Sequence, residues 1–145
     1  MKKALAFLAA LVLALSLCAC GAAGEKEPEE TKDVDVDLTA LSATMVYSEV
    51  YNMMADPDAY VGKRIKMSGM LDVYEGVANT YFSCVVADAT ACCAQGLEFV
   101  LKENYVYPDD YPAVGEDVTV VGTFTLLHEG QYAYIQIADA DLVQE

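Results

Sequence analysis

The sequence predicts a mainly β fold, a five-stranded Greek-key barrel preceded by one amphipathic helix. Three observations predict it. After residue 60, five apolar stretches follow one another, each parted from the next by Gly, Asn, Asp or Pro. Two of the five share a signature: Val61-Gly62-Lys63-Arg64-Ile65-Lys66-Met67-Ser68-Gly69 matches Val114-Gly115-Glu116-Asp117-Val118-Thr119-Val120-Val121-Gly122, and both run on to a Glu-Gly turn, Glu75-Gly76 and Glu129-Gly130. Upstream of them, one stretch carries a helical period instead.

That stretch starts near Ser42. Val46, Val50, Met53 and Met54 recur at i, i+4, i+7 and i+8 with Tyr47 and Tyr51 alongside, which gives one apolar face. Ser42 or Thr44 is positioned to cap the first turn. Asp56-Pro57 ends the helix, because the residue before proline avoids the α region, and Asp56 is placed to cap a further turn opened by Pro57. A Met- and Tyr-rich stripe at this spacing reads as core rather than as a groove for a partner.

The strands follow at Arg64 to Val73, Thr80 to Ala87, Cys92 to Lys102, Asp117 to Leu127 and Gln131 to Ile137. Gly69 and Gly122 fall at the same offset inside the two strands that share a signature. An interior glycine weakens a flat strand, so each marks a bulge or a sharp coil where a small barrel bends. Two long kinked strands, each serving two neighbours, plus three others complete a five-stranded barrel. Between the third and fourth strands, Tyr105, Tyr107 and Tyr111 with Pro108 and Pro112 are read as rings packed over one barrel end, ahead of a sugar or peptide platform.

Upstream of the helix the composition changes. Glu25-Lys26-Glu27-Pro28-Glu29-Glu30 has no apolar residue and buries nothing to offset its ordering entropy. Gly21 to Asp37 therefore reads as a tether. Asp33-Val34-Asp35-Val36-Asp37 alternates but carries a charge at every polar position, and is read as linker with a short edge strand as the alternative.

The N-terminus opens with Lys2-Lys3, an apolar run from Ala4 to Leu17, and Leu17-Cys18-Ala19-Cys20-Gly21. A helix of that run spans about 21 Å, short of the roughly 30 Å hydrocarbon core, so a signal peptide is favoured over a spanning helix. The cysteine motif resembles the lipobox of bacterial lipoproteins. The resemblance implies cleavage before Cys20, which carries a diacylglyceryl thioether and an N-acyl chain of the palmitate class. Cys18 as the acceptor would put Leu17 where a small residue belongs. The expected organisation is residues 1–19 as signal peptide, 20–41 as lipidated cysteine and acidic tether, and 42–145 as barrel domain. The expected location is the extracytoplasmic face of the cell membrane, where acyl chains contribute about 0.8 kcal/mol per buried methylene.

Charge limits the partners. The net charge is −15, and without Lys2 and Lys3 there remain 6 basic against 23 acidic residues, or −17. Nucleic acid is excluded, since its binding rests on Lys and Arg at phosphates. Anionic headgroups are repelled likewise, which leaves the lipid anchor as the contact with the membrane. Cations or a basic partner are electrostatically admitted, and plain solubility explains the acidity equally well.

The run Tyr60-x-Gly62-Lys63 through Gly69, together with Ala87-Asp88-Ala89-Thr90-Ala91-Cys92-Cys93-Ala94-Gln95-Gly96-Leu97-Glu98-Phe99, resembles OB-fold lipoproteins of Gram-positive anaerobes. It has a fainter likeness to the extracytoplasmic C-terminal domain of a permease subunit, whose cysteine pair precedes rather than follows its Ala-Asp-Ala element. The likeness covers Thr44 to Glu145. It implies an OB-like barrel, and a membrane-protein complex as one class of partner.

Three cysteines remain outside the N-terminal motif: Cys84, Cys92 and Cys93. If Asp88-Ala89-Thr90 turns the hairpin, Cys84 falls opposite Ala94 or Cys93, and a Cys84–Cys93 (or Cys84–Cys92) disulfide follows. Two other readings stand beside it: a soft-metal site of Cys84, Cys92 and Cys93, with His128 as a further ligand, and reduced cysteines buried as small apolar residues. At most one of Cys92 and Cys93 should point inward beside Cys84, because neighbours on a strand face opposite ways, and a bond between the two themselves would need a strained turn and is not expected. In OB-folds the loops after the first and fourth strands flank the binding face. Here those loops direct Asp72, Glu75, His128 and Glu129 towards the cysteine hairpin as ligand-binding candidates.

There is no Gly-x-Ser-x-Gly, no phosphate loop, and no histidine spaced to serve a nucleophile. The expected function is a non-catalytic binding or accessory module for a small ligand or a membrane complex. Extracytoplasmic metal handling through the cysteine hairpin is the alternative. A metal ion is the one cofactor these residues would admit. Feeding cells a fatty acid with a detectable tag should label the chain, with the label lost in Cys20→Ser and kept in Cys18→Ser; label retained in Cys20→Ser would overturn the assignment.

Overall fold

The computed structural model describes residues 33–143; the expected leader, Cys18, Cys20 and the tether up to Lys32 lie outside them. The chain forms β1 (Val36–Asp37), a 3₁₀ turn (Leu38–Ala40), α1 (Ala43–Ala55), a second 3₁₀ turn (Pro57–Ala59), β2 (Arg64–Glu75), β3 (Thr80–Ala87), β4 (Ala94–Leu101), β5 (Asp117–Glu129) and β6 (Tyr132–Leu142). The fold is mainly β. Its six strands lie in the order β1-β2-β3-β4-β6-β5, and β2 also pairs with β5, so the neighbours from β2 onward run in a closed circuit. All pairings in that circuit are antiparallel except β4 with β6.

Alternation explains which side chains meet inside. Ile65, Met67 and Leu71 of β2, Cys84 and Val86 of β3, Leu97, Phe99 and Leu101 of β4, and Val118, Val120 and Phe124 of β5 are buried, each set two residues apart on its strand save where a glycine intervenes. Burying side chains of this size contributes about 1.5–3 kcal/mol apiece. In β6 the inward step lengthens from Ile137 to Ala140, because Asp139 takes a left-handed φ of 50° and the ladders to β4 and β5 shift there.

The two equivalent glycines sit where the strands change partners. β2 pairs with β5 from Arg64 to Met70 and with β3 from Met70 to Glu75, so Gly69 immediately precedes the exchange. A Cβ on Gly69 would collide with the Val85 carbonyl oxygen and lie 3.0 Å from Cys84 Sγ. A Cβ on Gly122 would lie 2.7 Å from Ile137 Cγ2 and 2.8 Å from the Ala138 carbonyl oxygen, at the register shift between Val121 and Thr123. The strands can cross this closely only because no side chain stands between them.

Three expectations are corrected. The sheet has six strands rather than five, because Val36 and Asp37 pair in parallel with Ile65 and Lys66. Asp35 Oδ2 accepts from the Arg64 amide at 2.8 Å, the Asp35 amide donates to the Arg64 carbonyl at 2.9 Å, and Leu38 is 1% exposed. The folded unit thus begins before residue 42, and the tether's last residues belong to it. Second, Ser42 occupies the N-cap of α1 without a side-chain cap bond, while Thr44 lies inside the helix and its carbonyl accepts from Ser48 Oγ at 2.9 Å. Third, the buried stripe of α1 is narrower than expected: Val50 and Met53 are enclosed, but Met54 and Tyr51 are exposed. The helix rests on β3 and β4, tied there by Gln95 Nε2 donating to the Tyr47 carbonyl at 2.6 Å.

The tyrosines after β4 close one end. Tyr111 packs at a tilt on Phe82 at 4.5 Å between ring centres, Tyr107 meets Phe82 at 5.1 Å, and Tyr105 Oη accepts from the Leu142 amide at 3.3 Å. Replacing Gly69 with Ala should cost about 1–3 kcal/mol through overpacking against backbone. Gly62→Ala should cost about 1 kcal/mol, since Gly62 has a φ of +82° but open space around it. Urea denaturation reads both, and a Gly69→Ala cost below that of Gly62→Ala would contradict the close crossing.

Candidate functional site

The β3–β4 connection is the first candidate. Ala87 pairs with Ala94, so the loop runs from Asp88 to Cys93, and its closing bond is the Asp88 amide to the Cys93 carbonyl at 2.9 Å. An aspartate at the start of a turn accepts from amides downstream and so replaces ladder bonds. Asp88 Oδ1 accepts from the Thr90 amide at 3.2 Å, the Cys92 amide at 3.0 Å and the Cys93 amide at 3.5 Å, and Thr90 Oγ1 donates to both carboxylate oxygens at 3.1 Å. Ala91 completes the turn with a φ of 54°.

Winding the loop around one carboxylate brings the thiols with it. Cys92 Sγ donates to Asp88 Oδ2 at 3.4 Å and lies 3.5 Å from Cys93 Sγ. Partial desolvation acts to raise the Asp88 carboxyl, but the hydrogen bonds from Cys92, Thr90 and Cys93 outweigh it and hold it below the usual range. The Cys93 thiol is pushed up by its hydrogen bond with Cys92, by desolvation and by the Asp88 charge. The Tyr47 phenol on α1 is raised by desolvation and by the charges of Cys93, Asp88 and Cys92, which marks it as the loop's neighbour.

The loop is longer than the expected Asp88-Ala89-Thr90 turn, and this changes what Cys84 faces. Cys84 pairs with Leu97, four residues from the level of Asp88 and Cys93, or about 13 Å along the strand. A disulfide needs Cα atoms within about 7 Å, so the expected Cys84–Cys93 bond, and Cys84–Cys92 with it, is not formed, and all three thiols are free. Cys84 is fully buried and points at the Val118 carbonyl, with Sγ 3.8 Å away. Burial pushes its thiol up to about 12, with the Asp117 charge adding to the effect. Of the expected metal set, the structure brings Cys92 and Cys93 together, adds Asp88, and leaves Cys84 inside the core.

The expected convergence of Asp72, Glu75, His128 and Glu129 on the cysteines is also corrected. Asp72 pairs with Ser83 and Glu75 with Thr80, while His128 pairs with Ala133 and Glu129 with Tyr132. The Thr80 end of β3 lies about 23 Å along the strand from the Ala87 end that carries the cysteine loop.

Glu129 instead borders a separate groove of about 710 Å³ with Asn79, Thr80, Tyr81, Glu98, Val100, Leu127, Tyr134 and Gln136. These come from the β2–β3 turn and from β3, β4, β5 and β6. Asp72, Glu75 and His128 are not among its walls. Glu98 and Gln136 are register partners, and Gln136 Nε2 donates to Glu98 Oε1 at 2.7 Å, which fixes the groove's polar centre. Tyr81 is braced by Tyr74 at 6.2 Å between ring centres. Sequence reasoning missed this wall. Its signal was the alternate set of each strand: Tyr81, Val100 and Tyr134 are large side chains left exposed on the outward side.

Alkylation of the folded chain should modify Cys92 and Cys93 but leave Cys84 until unfolding, as read by peptide mass mapping; native modification of Cys84 would contradict its burial. Because the folded value of Cys84 is raised, its contribution to stability is full below the unfolded thiol value and is lost as pH climbs towards about 12. Tyr60, raised to about 12 first by its hydrogen bond to Glu49, acts in the same direction. The urea midpoint should therefore fall through that window, less steeply in Cys84→Ala.

Among the described residues no helix is long and apolar enough to cross a membrane. Comparison with protein-family models, with curated proteins and with solved structures found no match to this chain in any of the three.

Proposed function

We propose that this chain is a lipid-anchored extracytoplasmic binding module, an OB-like Greek-key barrel that holds a polar ligand in the groove across β3, β4 and β6. The groove is the observation that carries the reading. It lies between the β2–β3 turn and the β5–β6 turn, which correspond to the two loops that flank the ligand face of OB barrels. The closed circuit β2-β3-β4-β6-β5, with β2 shared by β3 and β5, supports the barrel assignment, and β1 is an addition at its edge.

The wall suits a ligand with both a flat apolar side and hydrogen-bonding groups. Tyr81 and Tyr134 offer ring faces and Val100 an apolar floor, while Glu98, Glu129 and Gln136 offer acceptors and one amide. Sugars and short extended peptides have that character, and the carboxylates favour uncharged or basic members. The lipobox motif supports the anchor, and the acidic tether supports a domain held clear of the surface.

A thermal-shift screen of the purified chain against oligosaccharides and peptides tests the reading. A ligand at a hundredfold excess over its Kd should stabilise the fold by about 2.7 kcal/mol. That stabilisation should vanish in Tyr134→Ala and Glu98→Ala and persist in Cys92→Ser. Stabilisation indifferent to the groove variants, or hydrolysis of a screened compound abolished by one of them, would overturn it.

A further inference from the structure

We propose that the Asp88–Cys93 loop is a binding site for a thiophilic divalent cation of the zinc class, with Cys92 Sγ, Cys93 Sγ and one Asp88 carboxylate oxygen as its ligands and a fourth position open to solvent. The distances carry the inference. With Zn–S near 2.3 Å and Zn–O near 2.0 Å, a tetrahedral ion separates two sulfurs by about 3.8 Å and a sulfur from an oxygen by about 3.5 Å. The loop holds Cys92 Sγ 3.5 Å from Cys93 Sγ, and 3.4 Å from Asp88 Oδ2. All three donor atoms lie within 4.8 Å of one another. Cys92 thus stands at ion-bridging distance from both partners, and an ion can sit among the three as Cys93 Sγ and the Asp88 carboxylate, within 4.8 Å of one another, settle at about 3.5 Å.

The shell around the donors is already built. Asp88 Oδ1 is occupied by the amides of Thr90, Cys92 and Cys93, while Oδ2 accepts only from the Thr90 hydroxyl and the Cys92 thiol, and the thiol contact gives way to the ion once that sulfur is deprotonated. Such outer contacts orient a ligand and raise affinity. Both thiols are exposed, so an ion reaches them directly. Two thiolates with one carboxylate select a softer borderline ion over calcium or magnesium, and a chain of net charge −15 draws cations towards it. On binding, each thiol gives its proton to solvent and its sulfur lone pair to the ion, so two protons leave for each ion taken.

The groove and this loop occupy different ends of β3, so the two proposals stand or fall separately. The test uses the full chain in detergent, reduced and free of oxygen, titrated with cobalt(II) and then displaced with zinc(II). One cobalt per chain should bind, with a thiolate-to-cobalt charge-transfer band of two-thiolate intensity that zinc abolishes. The band should disappear in Cys92→Ser/Cys93→Ser and remain in Cys84→Ala. Asp88→Asn keeps an oxygen for the loop amides but removes the anionic ligand, and should weaken affinity about tenfold or more. Unchanged urea midpoints in the variants would tie a loss to the ligands rather than to folding. No band at one equivalent, a band that survives the double serine variant, or recovery of a Cys92–Cys93 disulfide in place of the metal complex would overturn the site.

Discussion

The antiparallel pairing of β2 with β5 is the interaction on which the other contacts rest. The two strands are repeats of one another at the same spacing, 62 to 115 and 69 to 122, and they pair about their own pseudo-twofold axis. Ile65 faces Gly122 while Val118 faces Gly69. The Gly62 amide donates to the Phe124 carbonyl at 2.9 Å, and its equivalent, the Gly115 amide, donates to the Leu71 carbonyl at 2.8 Å. The Phe124 amide returns to Lys63 and the Leu71 amide to Glu116 in the same relation. Each glycine thus lets its own strand bend at a point fixed by the other, and the bend hands β2 to β3 and β5 to β6.

That pairing explains where apolar surface is left exposed. The inner faces are filled by β2 and β5 against Phe99 and Ile137, so the outward sides of β3, β4 and β6 are left to carry exposed rings. The ends are treated differently. One is covered by Tyr107 and Tyr111 on Phe82, while the β3–β4 connection projects as a small loop held by one carboxylate. Lys102 reaches Asp141 from the end of β4, with Arg64 nearby at 3.8 Å, and this cluster links β2, β4 and β6. The groups are about a third exposed, and such pairs add little beyond orientation.

Much of the fold was legible in the sequence because alternation is local. The five longer strands and the helix start within a few residues of the expected positions, though β6 runs five residues past its expected end at Ile137, to Leu142, and the shared Val-Gly and interior glycine announced two bends. The misses have physical causes. At Val36 and Asp37 the edge-strand alternative holds over the linker reading, the charges that argued for linker serving the edge: Asp35 bonds the Arg64 backbone and Asp37 accepts from the Thr39 amide at 2.9 Å. The hairpin was taken too tight because the Asp88 carboxylate gathers the downstream amides and lengthens the loop by three residues before the Asp88–Cys93 backbone bond closes it, so Cys84 faces Leu97 rather than Ala94 or Cys93. The groove was illegible because the Glu98–Gln136 contact rests on a parallel pairing between strands far apart in sequence. The cysteine cluster was half legible: the thiols were conspicuous, but Asp88 as their organiser follows only from the loop's course.

The short β1 bears on how the molecule would carry a mechanical load. A pull on the chain upstream of Asp33 meets the Asp35–Arg64 bonds first and the buried Leu38 next, before any strain reaches α1. The force enters β2 at its Arg64 end. The β2–β3 turn that borders the groove lies at the opposite end of that strand, about 36 Å of backbone away. Tension along the N-terminal segment would thus be absorbed by peeling a two-residue strand, with the groove left undistorted.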